Sequence, residues 1–347
     1  MFKEKLVRKA FVKKLTELVL NNKNIYLLTG DLGFSIFDEF KIKFPDNYIN
    51  IGISEANMIG MAAGMAMCGK QVFVYSIIPF ITFRCFEQIR NDICLQNLPI
   101  TIIGVGEGLS YGTSGPTHHS IEDIGVMSSL PNMVVISPGD PIEVEKLVDQ
   151  TLNLGSPCYM RLGKSGEKNI NSVDINVKIG NGNVLKDGKD IAIISTGNML
   201  STAFDVSENL AKYNIGSKVV SLHTIKPLDK SLLRQIAKEV NNIFVIEEHI
   251  SSCGLGSRIT FFYSQENIKI RINCIGLPDN FVKMIGNQEF LRMSYGMDNK
   301  SITNKIITSL ASESVLSTTL CKFDKTASLN APSLLELKPT TTPFYKI

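Results

Sequence analysis

The chain has 347 residues, of which 44% are hydrophobic and 20% are charged, and its formal net charge is +3. This composition excludes a disordered or fibrous protein, and so small a charge gives no support for nucleic-acid binding. No apolar run reaches the roughly 18 residues that a membrane span needs, and the basic N-terminus lacks the apolar core of a signal peptide. The seven cysteines are scattered without a Cys-x-x-Cys pair, which is typical of reduced thiols rather than a zinc site. These features predict a cytoplasmic enzyme with no metal site of its own.

Apolar strands alternate with helical patterns through the first half of the chain. Residues 4–20 have the periodicity of an amphipathic helix. Buried strands are expected at 25–29, 48–53, 71–76, 100–105 and 134–137, and further helices at 55–68, 80–95 and 141–152. Continuous apolar strands separated by helices predict a parallel sheet that is covered on both faces.

A polar, glycine-containing stretch at 164–178 predicts a linker, after which the alternation of strands and helices starts again. The second set of strands is expected at 191–195, 218–221 and 243–247, with helices at 200–212 and 229–239. The fold class is therefore α/β, with two three-layer domains at 1–163 and 179–311. The last segment, 312–347, is rich in Ser, Thr, Leu and Pro and is expected to be an irregular tail.

Two adjacent histidines, His118 and His119, end a glycine-rich loop that follows a predicted strand, and the whole chain has only four histidines. Ligands of open α/β sheets gather at the carboxyl ends of the strands, so this loop is well placed for a site. From loop placement alone, a functional loop and a solvated surface turn are about equally favoured.

Glu55 begins a helix of small and apolar residues, where the helix N-terminus favours a carboxylate and the apolar neighbours favour its neutral form. Taken alone, a routine helix-terminal charge explains it better than a functional group does. The small side chains of 55–68 permit close contact, either with a helix of the core or across a subunit interface. Phe80, Phe83 and Phe86 recur every three residues, a spacing more often found in a core than in a wall for a heterocycle.

Several short motifs occur in an order that resembles the transketolase family. They are Gly30-Asp31-Leu32, Gly52-Ile53-Ser54-Glu55, Phe86-Glu87-Gln88-Ile89-Arg90, Gly115-Pro116-Thr117-His118, Ile121-Glu122-Asp123, Leu130-Pro131-Asn132-Met133, Ile225-Lys226-Pro227-Leu228-Asp229 and Glu247-Glu248-His249. Over about 6–310 the chain is similar to the pyrimidine-binding and C-terminal domains of these thiamine-diphosphate enzymes. The Gly-Asp-Gly motif that holds the cofactor diphosphate and metal in this family does not occur in the sequence. The resemblance therefore implies the C-terminal subunit of a split transketolase.

The resemblance assigns the cofactor contacts. Glu55 matches the glutamate that hydrogen-bonds the aminopyrimidine and activates it. Phe80 matches an aromatic residue that stacks on the pyrimidine, Ile77 stands at the companion position, and Phe86 is a second candidate for a ring contact. Asp31 matches an aspartate near the cofactor and the substrate channel.

The resemblance also assigns the substrate contacts. His118 matches the catalytic histidine that moves protons at the reacting carbonyl, and His119 stands where a Gln is usual. Ser114 replaces the acidic residue that reads a sugar hydroxyl, and Gly106 replaces a second substrate histidine, so an altered sugar substrate is expected.

A phosphate pocket is implied as well, formed by Arg161, Arg8 and Ser35. Guanidinium groups bind phosphate in a bidentate manner, which makes two arginines and a hydroxyl a credible anion site. A separate N-terminal subunit is expected to hold the diphosphate and Mg²⁺ or Ca²⁺. Because family members place the cofactor between subunits, homodimerisation within a heterotetramer of two copies of each subunit is expected.

Other functions remain open at this stage. The β-type subunit of a 2-oxo acid dehydrogenase shares the fold and the cofactor glutamate, although the residues around His118 favour a transketolase. A synthase that joins pyruvate to glyceraldehyde phosphate is a further alternative. A non-catalytic scaffold subunit is the non-enzyme alternative, and retention of Glu55 and His118 argues against it.

Overall fold

A computed structural model describes residues 7–164 and 167–312 of the chain. Two mostly parallel sheets flanked by helices confirm the expected α/β class with two domains. Both sheets lie in a compact unit that extends to Thr303. No helix in the described ranges is long and apolar enough to cross a membrane.

The first sheet has seven strands in the order β10-β5-β6-β4-β3-β1-β2, and the second has five in the order β12-β11-β8-β9-β7. The strands are β1 Ile25–Thr29, β2 Tyr48–Asn50, β3 Gln71–Ile77, β4 Ile100–Val105, β5 Val134–Ile136, β6 Cys158–Leu162, β7 Asn183–Lys186, β8 Ile191–Ser195, β9 Ser217–Ser221, β10 Thr224–Lys226, β11 Asn242–Ile250 and β12 Arg271–Leu277. Only β10 on β5 and β7 on β9 pair antiparallel among these strands. The edge strand β10 comes from the second half of the chain, so the two halves share one sheet.

The helices are α1 Val7–Asn21, α2 Asp38–Lys43, α3 Glu55–Met67, α4 Ile78–Thr82, α5 Phe86–Gln88, α6 Asp123–Ser129, α7 Pro141–Thr151, α8 Leu200–Ala211, α9 Lys230–Glu239, α10 Leu255–Gln265 and α11 Gln288–Ser294. Residues 299–312 are also helical. The single helix expected at 80–95 is wrong in detail, because α4 and α5 are short pieces followed by a π-helical turn at Ile89–Cys94.

Burial explains the strand sequences. In β3, Val74 lies between Leu28 of β1 and Ile102 of β4, and all three side chains are buried. Central parallel strands are covered on both faces and therefore carry continuous β-branched and aliphatic residues instead of an alternating pattern.

The domain boundaries expected at 163, 178 and 311 stay a prediction. Between β6 and β7 the described residues form no helix or strand. Residues 4–6 of the expected first helix and 313–347 of the expected tail lie outside the described part of the chain.

Candidate active site

The carboxyl ends of the strands in the first sheet carry the residues singled out from the sequence. Gly30 and Asp31 follow β1, Glu55 follows β2, Phe80 follows β3, and His118 belongs to the loop that follows β4. Parallel strands bring these ends to the same edge of the sheet, where open α/β folds bind their ligands.

Glu55 is a buried carboxylate with two side-chain donors. Its side chain is 1% exposed, and Oε1 accepts a hydrogen bond from Ser76 Oγ at 2.9 Å. The other oxygen, Oε2, accepts from Nη1 of Arg84 at 2.7 Å. A side chain at Gly30 would approach Glu55 to 3.3 Å, so the small residue after β1 makes room for the carboxylate.

A planar cation lies between this carboxylate and an aromatic ring. The guanidinium of Arg84 is 4.7 Å from the centroid of Phe80, while the same group donates to Glu55. The other neighbour of Phe80 is His118, whose ring packs edge-on at 5.1 Å. Glu55, Arg84, Phe80 and His118 therefore form one continuous cluster.

The loop that carries His118 closes on itself at its base. Gly108 and Ser120 pair antiparallel, with N–H···O distances of 3.0 and 2.9 Å. Within the loop, Tyr111 lies 6.1 Å from the ring of His118. The loop therefore presents an aromatic and an imidazole side chain together beside Phe80.

Two cations flank Tyr111. Lys164 Nζ lies 4.4 Å from the centre of the Tyr111 ring, and Arg8 Nε donates to the backbone oxygen of Lys164 at 2.8 Å. Arg8 also hydrogen-bonds the hydroxyl of Tyr75, whose pKa burial raises to about 12 against the opposing charge of Arg8. An open cavity of about 270 Å³ beside this group is lined by Ser110, Gly112, Thr113, Lys164, Asn287, Gln288 and Glu289.

Arg161 does not join these cations, and its expected role as a phosphate contact is not supported by its position. Its side chain is 1% exposed, because it projects from the buried strand β6 into the protein. Nε donates to Asp123 at 2.8 Å, Nη1 donates to Glu107 at 3.1 Å, and Nη2 donates to the backbone oxygens of Ser120 and Glu248. Burial raises the pKa of the Glu107 carboxyl, and the charge of Arg161 opposes that shift. All three guanidinium nitrogens are therefore engaged by the protein itself.

Ser35 also lies elsewhere. It is exposed, with φ +60°, and lines an open groove between α1 and α2 with Lys9, Lys13 and Glu39. The structure therefore does not assemble Arg8, Ser35 and Arg161 into one pocket.

Asp31 is held by the neighbouring strand. Its backbone N–H donates to Asn50 Oδ1 at 2.9 Å, and the Asn50 amide donates to its carboxylate at 3.0 Å. Its φ of +55° is uncommon for a residue other than glycine and is often found at functional sites.

The other predicted residues take different positions around the cluster. Ile77 is 7% exposed and directly precedes α4, and Phe86 packs on the core below. Ser114 is exposed on a short turn of the loop. His119 is buried, and burial lowers its pKa, so it is a neutral imidazole at neutral pH. In the described ranges no group of three or more His, Cys, Asp or Glu is placed to hold a metal ion.

Comparison with known proteins identifies the family. Residues 3–167 match the model of the transketolase pyrimidine binding domain, and residues 180–302 match that of the transketolase C-terminal domain. One of the two subunits of the apulose-4-phosphate transketolase of Phocaeicola vulgatus is 33% identical over 85% of this chain and 94% of its own length. The chain belongs to the transketolase family.

Two further comparisons show which members of the transketolase family the chain is similar to. A solved structure described as a split-gene transketolase, an inactive β4 tetramer, is 32% identical with a TM-score of 0.80, covering 89% of this chain and 99% of its own. The 1-deoxy-D-xylulose-5-phosphate synthase of Dehalococcoides mccartyi is 34% identical over 86% of this chain but only 46% of its own length. The split transketolase subunits thus match over nearly their whole length.

Three residues of the cluster were missed by sequence reasoning, and each had a weak signal. Arg84 is four residues after Phe80, a spacing that brings side chains together on helical backbone. Tyr111 is the aromatic residue inside the glycine-rich loop. Lys164 follows the carboxyl end of β6, whereas Arg161 is inside that strand. Position relative to the strand end therefore separates the cation of the site from the cation of the core.

Proposed function

We propose that this chain is the C-terminal subunit of a thiamine-diphosphate-dependent transketolase, which transfers a two-carbon ketol unit from a ketose phosphate to an aldose acceptor. The observation that carries the proposal is the cluster of Glu55, Phe80 and His118 at the carboxyl edge of the first sheet. Transketolase-family membership and the similarity to split transketolase subunits support it.

The pocket fits an aminopyrimidine, and Arg84 is the reason for saying so. Its guanidinium is planar, carries N–H donors, lies on the face of Phe80 and donates to the buried Glu55 carboxylate. An aminopyrimidine has the same planarity and the same kind of donor, so it would make the same two contacts in its place. When bound, thiamine diphosphate supplies an electron sink for the two-carbon fragment.

Glu55 has the properties required to hold a proton on the pyrimidine ring. Ser76 holds one carboxylate oxygen in place, and the first turn of α3 provides a favourable helix dipole. Since the carboxylate is 1% exposed, a charge-assisted hydrogen bond from a ring nitrogen would be short and strong. We propose that Glu55 stabilises the proton on that nitrogen and so activates the exocyclic amine.

His118 would serve the substrate side of the reaction. Its Nδ1 is 3.0 Å from the hydroxyl of Thr117, so the hydrogen bond between them orients the ring. The imidazole lies within one ring diameter of Phe80, and hence of the proposed pyrimidine position. We propose that it moves protons between the sugar hydroxyls and the reacting carbonyl.

Lys164 and Arg8 are proposed as the phosphate contacts in place of Arg161 and Ser35. Both cations lie beside Tyr111, next to the open cavity, where a sugar that extends away from His118 would end. Ser114 and Gly106 stay proposals for the altered sugar specificity. The apulose-4-phosphate activity named for the Phocaeicola vulgatus relative makes that branched sugar phosphate one substrate to test.

A partner subunit is proposed to supply the diphosphate and the divalent metal. In the described residues no acidic cluster of the kind that holds a cation is present. The similar solved structure, which contains four β subunits, is described as inactive, which agrees with a chain that needs a partner.

The open face of α3 is proposed as the contact between two copies of this chain. A side chain placed at Gly60 or Gly64 would meet nothing within 4 Å, and Met61 and Met67 are exposed on the same helix. Light scattering on the co-expressed subunits should detect a heterotetramer, and a 1:1 species alone would contradict this arrangement.

Calorimetric titration of thiamine diphosphate with Mg²⁺ tests the proposal, using this chain alone and with its candidate partner subunit. We expect tight binding only in the mixture, and absence of binding in both would refute the cofactor assignment. Glu55→Ala should abolish most of the ketol transfer from xylulose 5-phosphate to ribose 5-phosphate, whereas the exposed Glu87→Gln should not. Turnover of pyruvate or a branched 2-oxo acid, with none of ketoses, would favour the dehydrogenase or synthase alternative.

A further inference from the structure

A carboxylate of the second domain holds the loop that carries His118. The backbone N–H of Leu109, directly after the Gly108–Ser120 pair at the base of this loop, donates to Glu248 Oε1 at 2.6 Å. Glu248 lies on β11 of the second sheet and is 1% exposed. The bond therefore crosses from one domain to the other and is removed from water.

Glu248 is itself held from two sides by α11. Arg292 Nε donates to Oε2 at 2.6 Å, and a second nitrogen of the same guanidinium also donates to Oε2. Gln288 Nε2 donates to Oε1 at 2.9 Å and reaches Ser110 Oγ of the loop at 3.3 Å. Both oxygens are thus fixed, and the acceptor for Leu109 has one position.

The backbone of the loop is shaped to accept this carboxylate. Gly108 has φ +58°, and a side chain there would meet Glu248 Cγ at 2.7 Å, so the position requires glycine. Further along, a side chain at Gly112 would meet the backbone oxygen of Gly286 at 2.4 Å. Two close approaches of backbone to the second domain therefore enclose Tyr111 and lie ahead of His118.

We propose that Glu248 is a positioning residue for His118, acting through the backbone of the 108–120 loop. This inference rests on the proposed function for the role of His118, while the mechanical link from Glu248 to the loop stands on its own. It gives the second domain a part in the reaction, although no side chain of that domain belongs to the cluster around Glu55.

The neighbouring Glu247 is the matched control. It is equally buried and also accepts two backbone N–H groups, from Leu255 at 2.6 Å and Gly256 at 2.8 Å. These donors begin α10 in the second domain, so Glu247 does not touch the 108–120 loop. Glu247→Gln and Glu248→Gln therefore remove similar charges and differ in whether the loop is held.

The first measurement is hydrogen exchange in the full chain without cofactor, which does not depend on the proposed function. Glu248→Gln puts an amide where Arg292 requires an acceptor and should speed exchange in peptides covering 106–120 by about tenfold or more. Glu247→Gln should speed exchange at 255–256 and leave the loop unchanged. An unchanged loop in Glu248→Gln would overturn the proposal, and so would an equal effect of Glu247→Gln.

The second measurement is kinetic, in the complex with the partner subunit and with xylulose 5-phosphate and ribose 5-phosphate as probes. Glu248→Gln should lower kcat on the order of 10- to 100-fold, the size that a misplaced catalytic group produces. The Kd for thiamine diphosphate should stay within about twofold, because Glu248 does not contact Glu55 or Phe80.

A double-mutant cycle separates positioning from a general structural effect. In a His118→Ala background, Glu248→Gln should change kcat less than about twofold, because a misplaced side chain that is absent cannot cost more rate. Additive effects would overturn the proposal. If the complex transfers no ketol unit at all, the proposed function fails, while the exchange measurement still decides the link to the loop.

Discussion

Arg84 should compete with the cofactor for Glu55, and Arg84→Met tests this directly. The guanidinium now makes the two contacts that an aminopyrimidine would make, one with the carboxylate and one with Phe80. Binding of the ring therefore requires Arg84 to leave Glu55. Methionine keeps most of the aliphatic stem over Phe80 but removes every N–H donor, so the variant lifts the competition and preserves the packing.

The size of the effect follows from the exposure of the two partners. A hydrogen bond to a charged group contributes about 1.5–3 kcal/mol when it is protected from water. Here the Nη1···Oε2 distance is 2.7 Å, and Glu55 is buried, but the Arg84 side chain is 49% exposed. Screening by water reduces such a pair to about 1 kcal/mol. Removing it should therefore lower the Kd for thiamine diphosphate about fivefold.

The assay is calorimetric titration of thiamine diphosphate and Mg²⁺ into the complex with its partner subunit. Arg90→Met is the control, because Arg90 is another exposed arginine on the following turn and its guanidinium donates to the side chain of the adjacent Asn91 rather than to Glu55. It should change Kd less than twofold. Weaker binding in Arg84→Met would refute the reasoning and would make Arg84 a ligand of the cofactor.

Three further outcomes follow from the site and its supports. Arg161→Met should lower the free energy of unfolding by about 3–5 kcal/mol in urea titrations, because it leaves two buried carboxylates without their cation. Lys164→Met should raise KM about tenfold for phosphorylated sugars and leave KM for unphosphorylated sugars unchanged, measured in parallel. Burial lowers the pKa of His249 to about 4, and its Nε2 accepts from the N–H of Ile124 at 3.1 Å, so the ring is neutral when folded. The unfolded chain takes up a proton below about 6.5, so this contribution to stability is complete above that pH and is lost, by about 3 kcal/mol, as pH falls to 4. His249→Gln should flatten that part of the unfolding curve.

Each of these outcomes has a clear contrary result. A stable Arg161→Met variant that binds phosphorylated sugars poorly would restore Arg161 as a phosphate contact. Equal losses for both kinds of sugar in Lys164→Met would remove that lysine from phosphate binding. Parallel pH curves for wild type and His249→Gln would show that the stability change has another source.

The fold was predictable because strand burial is written in local sequence. Continuous aliphatic runs such as Ile100–Val105 allow only a strand covered on both faces, and their spacing implied parallel connections. The helix at 80–95 was not predicted correctly, since its periodicity does not reveal the breaks after Thr82 and before Phe86. The edge strand β10 has three residues and no local signature, because its partner is β5, almost ninety residues earlier.

The candidate site was predictable only in part, for the same reason. Glu55 and His118 could be placed at one edge of a sheet, because the carboxyl ends of parallel strands converge. Arg161 could not be recognised as a buried ion pair, since its partners Glu107 and Asp123 are 54 and 38 residues away in sequence. A family motif supplies a residue type at a position but not the neighbours that decide whether its charge is free.

The polar contacts between the two domains make sense as a means of orientation. Replacing buried ion pairs by apolar residues often leaves a protein equally stable or more so, which means that such pairs contribute little net stability. Arg161, Glu107 and Glu248 are nevertheless all placed at the base of the loop that holds His118. An apolar contact tolerates sliding, whereas a carboxylate bonded to a single N–H fixes direction and distance. The charges therefore set the geometry of the loop, and the apolar cores of the two sheets hold the domains together.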